Sequence, residues 1–482
     1  YTIEVRILYV FLGEITMLFS STVFLFVFLP LVLFFYYLPL RGRRNAQNVF
    51  LLIASLGFYA WGEPWFVLVM IGSILANYLL GLWMARARER TAARRLVTAA
   101  AVCFNLAILF LFKYLTFTLS SLRAALGASF PVPEIALPIG ISFFTFQALS
   151  YVLDIARGRA PVQKNPLWVG LYISFFPQLI AGPIVKYETV AAEITGRRES
   201  WADFSGGMCR FAAGFAKKVL LANTLALVAD KAFDGGALSA GMAWLGSLAY
   251  TFQIFFDFSG YSDMAIGLGR MFGFHFQENF NYPYLSRSIT EFWRRWHISL
   301  STWFRDYVYI PLGGSRVSDP RHYGNLFAVW LLTGIWHGAN WTFIAWGLYY
   351  FVLLALEKSM GWDKRRLSGW RILPTFLLVN FGWVLFRAAS IRAAGTFLAA
   401  MLGIGADGVW NAAATAALRD NRVIFACAAL FSTPIARWLG GRRETQGAAG
   451  AALYTAGLLA AAVIAFTYLA KGAYNPFIYF NF

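Results

Sequence analysis

Long apolar runs, separated by short polar and basic segments, follow one another along almost the whole chain. A helix that crosses a bilayer needs about 20 mostly apolar residues, and most of these runs approach that length. The pattern predicts an all-α polytopic membrane protein with about 11–13 transmembrane or re-entrant helices. The predicted spans are 17–38, 47–61, 64–85, 96–118, 136–156, 167–186, 206–229, 238–256, 323–337, 339–357, 371–388, 421–438 and 448–469.

Two stretches depart from this pattern. In the run 167–186, Pro177, Gly182 and Pro183 interrupt the apolar residues, which predicts a broken, re-entrant helix. Between 257 and 322, aromatic rings are mixed with charges and glycines. Short helices that dip into the membrane or line a cavity fit this mixture best.

We expect one membrane domain over residues 17–482. Residues 1–16 precede Met17, a natural-looking start, and are treated as an N-terminal extension. No signal-peptide cleavage pattern is clear, so the first span is expected to stay as an anchor. Within the domain, 257–322 is the predicted region of re-entrant and short helices, and 323–357 is the predicted catalytic hairpin.

Composition supports the membrane class. Hydrophobic residues make up 59% of the chain and charged residues only 13%, whereas soluble domains are about 25% charged. The net charge of +18 comes largely from short basic clusters between apolar runs, which are typical of cytoplasmic loops and anionic lipid contacts. The clusters at 41–46, 86–95 and 157–164 are therefore predicted to be cytoplasmic, and no nucleic-acid partner is expected.

Motifs for bound metals or nucleotides do not occur in the sequence. No Gly-rich phosphate loop follows a strand, no Cys/His zinc spacing is present, and the three cysteines are dispersed. We therefore expect neither a metal site nor a tightly bound cofactor.

His337 is the strongest candidate for chemistry. It is one of only 4 histidines in 482 residues, and it lies in an apolar, tryptophan-rich run. An ionisable side chain at membrane depth is costly and is usually retained for a task, and histidine exchanges protons near neutral pH. On one helix, Trp330, Thr333, His337, Asn340 and Trp341 would share a face. A histidine hydrogen-bonded inside a packed helix interface is the alternative interpretation.

His297 is the second candidate. If its segment is helical, Trp293, His297 and Ser301 stack on one face, and Glu291 can pair with Arg295. This histidine would then orient the first one or bind the substrate. The alternative is an ordinary interfacial histidine.

Charged residues near these histidines offer further candidates. Arg305 and Asp306 are adjacent and would not face each other along one helix, so each is expected to have its own partner. A cation here would suit a phosphate or pantetheine-type donor, beside the hydroxyl of Tyr307, although an interfacial charge network fits equally well. Asp257 and Asp263 are predicted near a helix end, as cavity lining or as caps.

Taken together, the motifs resemble the membrane-bound O-acyltransferase superfamily, and most closely its bacterial branch of alginate O-acetyltransferase membrane subunits. The most specific motifs are Phe-Trp-Arg-Arg-Trp-His at 292–297 and Thr-Gly-Ile-Trp-His-Gly-Ala-Asn-Trp at 333–341. Further matching segments, in order along the chain, are 17–21, 137–147, 175–184, 257–264 and 304–314.

The resemblance implies a ring or bowl of tilted helices around a central tunnel, in which donor and acceptor meet. It implies that His337 corresponds to the essential membrane histidine and His297 to the second histidine of the bacterial branch. Residues expected to bind substrate or support the site are Thr333, Trp336, Asn340, Trp296, Arg305, Asp306, Tyr307 and Asp257.

The function implied is a multi-pass O-acetyltransferase of the bacterial inner membrane. An acetyl group would pass from a cytoplasmic thioester, acetyl-coenzyme A, to a periplasmic acetyltransferase partner or to an exopolysaccharide such as alginate. A neutral His337 would act as base or acyl acceptor, and Asn340 would hold the imidazole or donate to the oxyanion. D-alanyl transfer to teichoic acid, peptidoglycan or cellulose O-acetylation, and a proton-coupled transporter are the alternatives.

Overall fold

The computed structural model describes residues 17–87, 89–236, 238–362, 367–435, 443–471 and 478. These residues form helices joined by turns, with no strand among them, and a helix occurs at every predicted span. The all-α prediction is confirmed. Residues 1–16 and all of the aromatic C-terminal tail except residue 478 lie outside the described residues, so the expected extension stays untested.

Five helical segments within the described ranges are long and apolar enough to cross a membrane. They are Phe66–Ala87, Thr91–Leu126, Trp201–Phe233, Gly369–Arg387 and Ala449–Ala470. Shorter apolar helices occur at Phe24–Tyr37, Ile141–Ala156 and Ile391–Met401. The last of these was not among the predicted spans.

The chain divides into two compact units. The first comprises residues up to Phe211 together with Ser262–Gln277, and the second comprises Ala212–Tyr261 and the residues from Glu278 onward. The ring and tunnel implied by the resemblance, and the single domain, stay predictions.

The first unit is built from a series of mostly apolar helices. After a π-helical turn at Phe24–Phe28, they are α1 (Leu29–Tyr37), α2 (Arg44–Gly62), α3 (Phe66–Ala87), α4 (Thr91–Leu109), α5 (Leu115–Leu126), α6 (Ile141–Ala156), α7 (Pro166–Ser174), α8 (Phe176–Leu179), α9 (Tyr187–Val190), α10 (Glu193–Gly196) and the start of α11 (Trp201–Ala216). A π-turn at Phe110–Tyr114 makes α4 and α5 one continuous helical segment.

The broken helix predicted within 167–186 is present. Asn165 caps the start of α7 by accepting from the Leu167 N–H at 3.0 Å, and Pro166 occupies its first turn. The helix stops at Phe175, whose ψ of 114° leaves the helical region, before the single turn α8. Every residue from 168 to 187 is buried, so protein covers the irregular backbone.

The second unit contains the remaining elements. A π-turn at Lys217–Ala222 is followed by α12 (Asn223–Phe233), α13 (Ala240–Met271), α14 (Ile289–Arg295), α15 (Ile298–Phe304), α16 (Asp319–His337), α17 (Trp341–Ser359), α18 (Ile372–Arg387), α19 (Ile391–Met401), α20 (Ala412–Phe431) and α21 (Arg443–Ala470). Helices α11 and α13 each contribute residues to both units.

The predicted end of the span 238–256 is wrong. Helix α13 runs for 32 residues, so Asp257 and Asp263 lie inside it rather than near an end. The glycines that suggested an end to the helix are instead positions where another backbone approaches closely. A Cβ on Gly260 would lie 2.8 Å from the Gly214 carbonyl oxygen, and one on Gly267 would lie 2.6 Å from that of Gly207.

The short helices predicted further along are present from Pro283 onward, including α14 and α15. The segment 323–357 forms the predicted hairpin, made by α16 and α17. Two glycines bring these helices together: a Cβ on Gly334 would meet the Phe343 carbonyl oxygen at 2.5 Å, and one on Gly347 would meet that of Trp330 at 2.4 Å. Close backbone contact therefore fixes the hairpin.

Candidate active site

His337 is the last residue of α16 and is only 5% exposed. Three aromatic rings surround its imidazole: Trp336 at a centroid distance of 5.0 Å, Trp346 at 4.9 Å and Phe386 at 5.1 Å. Their planes stand at 75° to 82° to the imidazole plane, so the histidine meets them edge to face. The predicted apolar, tryptophan-rich surroundings of His337 are present.

The helix-face prediction around His337 is wrong at its C-terminal half. Helix α16 ends at His337, Gly338 is extended, and Asn340 lies in the turn that starts α17. Asn340 caps α17 by accepting from the Thr342 N–H at 3.0 Å, and its side-chain N–H₂ donates to the Ala389 carbonyl at 3.2 Å. Trp341 is 54% exposed. An asparagine at position 340 can cap a new helix as well as lie on one face of a continuing helix, so the sequence motif fitted both arrangements.

Trp330 and Thr333, on the N-terminal side of His337, are buried as predicted. The Thr333 hydroxyl donates to the Val329 carbonyl at 2.7 Å, one turn earlier. Gly338 has no room for a side chain, because a Cβ there would lie 2.2 Å from the Phe343 ring. The turn after His337 is thus sterically defined.

His297 does not lie within a helix, contrary to the prediction. It separates α14 from α15 in the left-handed conformation, with φ of 45° and ψ of 54°, and it is only 1% exposed. The expected stacking of Trp293, His297 and Ser301 is therefore wrong. The Glu291–Arg295 ion pair is present at 2.6 Å.

Asn279 fixes the tautomer of His297. The Asn279 side-chain oxygen accepts from the Ser299 N–H at 3.1 Å and from the Ser299 hydroxyl at 2.9 Å, and it lies 3.2 Å from His297 Nδ1. Since this oxygen only accepts, Nδ1 carries the proton and Nε2 presents a lone pair. Within the described residues, Nε2 is buried and makes no hydrogen bond.

Burial keeps His297 neutral. His297 lies outside the five candidate spans, and desolvation lowers its pKa to about 3. The ring packs against Phe258 at 4.5 Å and lies 6.1 Å from Trp336, measured between centroids. Trp336 therefore lies near both predicted histidines, 5.0 Å from His337 and 6.1 Å from His297 between ring centroids.

The sequence did not indicate the polar groups of three further residues in the aromatic cluster around Trp346, which itself lies 4.9 Å from His337 between ring centroids. They are the indole N–H groups of Trp293 and Trp346 and the hydroxyl of Tyr350, whose rings lie 4.8 to 5.4 Å apart. None of these three groups has a hydrogen-bond partner in the part of the chain that the structure describes. The sequence signal that could have indicated these groups is the spacing of Trp346 and Tyr350, which places both side chains on one face of α17, one turn apart.

The group around Arg305 differs from the prediction. Arg305 Nε pairs with the neighbouring Asp306 Oδ1 at 2.8 Å, within the π-turn Arg305–Tyr309. The two adjacent side chains therefore face each other, contrary to the prediction. The Arg305 side chain is 57% exposed, and the buried Tyr307 packs on Trp303 at 5.0 Å.

Trp296 and Asp257, predicted to support the site, contact other side chains. Trp296 is part of the hydrophobic core, 4.8 Å from Trp383 between ring centroids. Asp257 lies inside α13, forms a buried ion pair with Lys218 at 2.6 Å and accepts from the Ile478 backbone N–H at 2.9 Å. Lys218 also donates to the Asn223 side-chain oxygen at 2.8 Å.

Lys218 was not among the residues predicted to support the site. A lysine inside the apolar run 206–229 was the available signal, because a cation at that position needs a counter-charge. With regard to metals, no group of three or more histidine, cysteine or carboxylate side chains suited to an ion occurs among the described residues.

Comparison with known proteins identifies relatives over most of the chain. The family model for MBOAT, the membrane-bound O-acyltransferase family, matches residues 53–394. A protein of Pseudomonas syringae pv. tomato named "Probable alginate O-acetylase AlgI" is 47% identical over 397 residues, which cover 81% of this chain and 76% of that protein.

More distant relatives carry other names. The "Peptidoglycan O-acetyltransferase" of Helicobacter pylori is 35% identical over 444 residues, covering 84% of each chain. The "Teichoic acid D-alanyltransferase" of Bacillus subtilis is 31% identical over 271 residues, covering 52% of this chain and 68% of that protein. The matches thus share acyl transfer and differ in the acyl group and the acceptor that their names give.

Proposed function

Because this chain belongs to the membrane-bound O-acyltransferase family and is an O-acyltransferase, we propose that it acetylates an exopolysaccharide such as alginate. The acetyl group comes from a cytoplasmic thioester, acetyl-coenzyme A, and is delivered across the bacterial inner membrane. A periplasmic acetyltransferase completes the modification. The similarity to the relatives named alginate O-acetylase supports this choice of acceptor.

The position of Trp336 near both His337 and His297 carries the proposal. A neutral imidazole at His337 accepts the proton of the attacking hydroxyl as its oxygen bonds to the thioester carbonyl carbon. When the carbon–sulfur bond breaks, the same proton passes to the departing thiolate. If His337 instead takes the acetyl group first, the hydroxyl attacks an acetyl-imidazole, and the proton balance is the same.

His297 supports this step through Nε2. Its lone pair is buried, and its tautomer is fixed by Asn279. Such an acceptor suits a substrate hydroxyl group, whose hydrogen bond it receives while His337 acts on the reacting centre. The proposal therefore assigns His297 to binding and orienting the substrate.

The buried donors in the aromatic cluster around Trp346, a neighbour of His337, suit the negative charge that develops on the carbonyl oxygen. Trp293, Trp346 and Tyr350 hold these donors in fixed rings, away from water. One well-placed donor to an oxyanion typically contributes about 3 kcal/mol to transition-state stability. The aromatic surroundings also limit hydrolysis of the thioester.

The proposal is tested with purified protein in lipid nanodiscs. Acetyl-coenzyme A labelled in the acetyl group is supplied with mannuronate oligomers and a periplasmic acetyltransferase, and thioester loss and acetyl ester formation are followed together. Wild type should transfer the label, and His337→Ala should reduce the rate by about 100-fold or more. His322→Ala is the matched control, since His322 is also buried but bonds to Tyr309.

Four outcomes contradict the proposal. Wild-type turnover in His337→Ala would exclude a role for His337 as the general base. Activity only with a D-alanyl carrier protein supports teichoic acid D-alanylation, and activity with peptidoglycan fragments alone supports that acceptor. Movement of an intact substrate into liposomes with no acyl transfer supports a transporter.

A further inference from the structure

A cleft of ≈ 790 Å³ in the first unit lies between the N-terminal half of α4 and the C-terminal end of α6. Three arginines, Arg94, Arg95 and Arg157, contribute to its lining. We call it the arginine cleft. The other lining residues are Thr98, Ala99, Val102, Cys103, Leu153, Ala156 and Gly158.

The charge around the arginine cleft is strongly positive. Among the described residues, neither Arg94 nor Arg95 forms an ion pair with a carboxylate, and Arg95 is exposed. Both lie in the first turns of α4, where the helix dipole adds positive potential. The guanidinium groups of Arg94 and Arg95 repel each other in this setting, and guanidinium suits a phosphate through paired hydrogen bonds.

The remaining wall of the cleft is apolar. Val102, Leu153 and Ala156 lie beside the arginines, and α4 continues into the candidate membrane span Thr91–Leu126. A ligand with a charged head and an apolar body matches this arrangement better than a fully water-soluble anion does.

We propose that the arginine cleft binds an anionic phospholipid. The headgroup phosphate lies among Arg94, Arg95 and Arg157, and the acyl chains extend along the apolar wall. Both basic segments that form the cleft are predicted to be cytoplasmic, which places the lipid in the inner leaflet, where anionic headgroups attract basic clusters.

A soluble phosphate-bearing molecule is the competing ligand. The thioester donor of the proposed function carries phosphates of its own, and these would also suit guanidinium groups. The apolar wall favours the lipid, and the two sources are separated by experiment. The lipid proposal does not depend on the identity of the acyl acceptor.

Cys103 provides a local probe, because it lines the cleft and is exposed. In a Cys209→Ser/Cys427→Ser background, a maleimide reagent reports on Cys103 alone. In detergent, added phosphatidylglycerol should slow labelling by about fivefold, and phosphatidylcholine should not, because only the former has a net negative headgroup.

The arginines are tested in the same assay. Arg94→Gln/Arg95→Gln/Arg157→Gln should remove the protection by phosphatidylglycerol. Arg41→Gln/Arg43→Gln/Arg392→Gln is the matched control, since it removes three charges from exposed side chains outside the cleft and should keep the protection. Arg95→Gln alone, at an exposed position, tests the proposal if the triple variant does not fold, and it should lower the protection by about half or more.

Several results would overturn the proposal. Equal protection of Cys103 by phosphatidylcholine and phosphatidylglycerol would show that the arginines do not select an anionic headgroup. Protection by adenosine 3′,5′-bisphosphate without protection by phosphatidylglycerol assigns the cleft to a soluble nucleotide. His337→Ala should retain the lipid protection, so a failure of the lipid site and a failure of the acyl-transfer mechanism are distinguishable.

Discussion

His337 and His297 differ in how their surroundings hold them. The imidazole of His337 packs among three aromatic rings, whereas that of His297 is positioned by a left-handed backbone and by Asn279. A left-handed backbone costs free energy for a residue other than glycine, so the hydrogen bonds of Asn279 have to offset that strain. Asn279 is consequently the residue that sets the direction of the His297 lone pair.

The first prediction concerns His297 and Asn279. His297→Ala should lower kcat for acetyl transfer by about 100-fold, because a substrate contact at the reacting site is lost. Asn279→Ala should lower kcat by roughly tenfold, because the favoured tautomer is no longer held. Steady-state kinetics in nanodiscs measure both. Wild-type kcat in His297→Ala, in protein with an unchanged melting temperature, would reduce His297 to a packing residue.

The second prediction concerns Tyr350. Its buried hydroxyl makes no hydrogen bond among the described residues, so Tyr350→Phe should keep or raise the melting temperature. If the hydroxyl serves the oxyanion, the same change should lower kcat by about tenfold.

Tyr172→Phe is the matched control, because the Tyr172 hydroxyl donates to the Val185 carbonyl at 2.8 Å. Losing that bond should destabilise the protein by about 1 kcal/mol and leave kcat unchanged. Full activity in Tyr350→Phe would remove the hydroxyl from the mechanism.

Helices α16 and α17 position His337 through glycine contacts. Gly334→Ala places a methyl group against the Phe343 carbonyl oxygen and should separate the two helices. The expected cost is about 1–3 kcal/mol of unfolding free energy, together with lower activity. Thermal unfolding in detergent and the nanodisc assay measure the two effects.

Gly324→Ala is the control on the same helix. A Cβ there meets no atom within 4 Å. Alanine in an open helical position should stabilise by about 0.4–1 kcal/mol and leave the rate unchanged. Equal behaviour of Gly334→Ala and Gly324→Ala would show that close packing of the hairpin is unimportant.

Helix-level features were only partly predictable from the sequence. Apolar periodicity located a helix at each span, because every apolar run must be buried in protein or lipid. Apolar periodicity did not predict that the helix continues through Gly260 or that it is interrupted at His297, because the same residue type can occur inside a helix or at its end. A glycine can end a helix or allow another backbone to approach, and only the partner, here Gly214, decides between the two.

The site was predictable as a set of residues but not as a geometry. Sequence motifs indicated His337 and His297, yet the tautomer of His297 depends on Asn279, which lies in a different segment. The roles of Trp293 and Tyr350 depend on packing between helices. Such contacts leave no periodic signal in one sequence.

At the scale of the molecule, the buried ion pair between Lys218 and Asp257 joins separate parts of the second unit, and Ile478 adds the C-terminal segment. Asp257→Leu alone should destabilise the protein by about 3–5 kcal/mol, because it leaves a buried cation without its counter-charge. Lys218→Met/Asp257→Leu should recover most of that loss. Thermal unfolding of the single and double variants tests this, and an equally unstable double variant would contradict it.

The side of the membrane on which each loop lies is a property of the whole chain. It distinguishes acetyl transfer across the bilayer from acetyl transfer on one side of the bilayer. Basic clusters predict which loops are cytoplasmic, and the acceptor in the proposed function lies on the opposite side. The proposed site at His337 must therefore be reached by the donor from one side and by the acceptor from the other.

The central claim is most directly tested in proteoliposomes with uniformly oriented protein. Labelled acetyl-coenzyme A is placed only on the cytoplasmic side, and mannuronate oligomers with a periplasmic acetyltransferase only on the other. Wild type should deliver label to the oligomers, and His337→Ala should lower the rate by about 100-fold or more while His322→Ala does not. Label that reaches the oligomers equally fast with His337→Ala, or that appears only when both substrates share a side, would contradict the account.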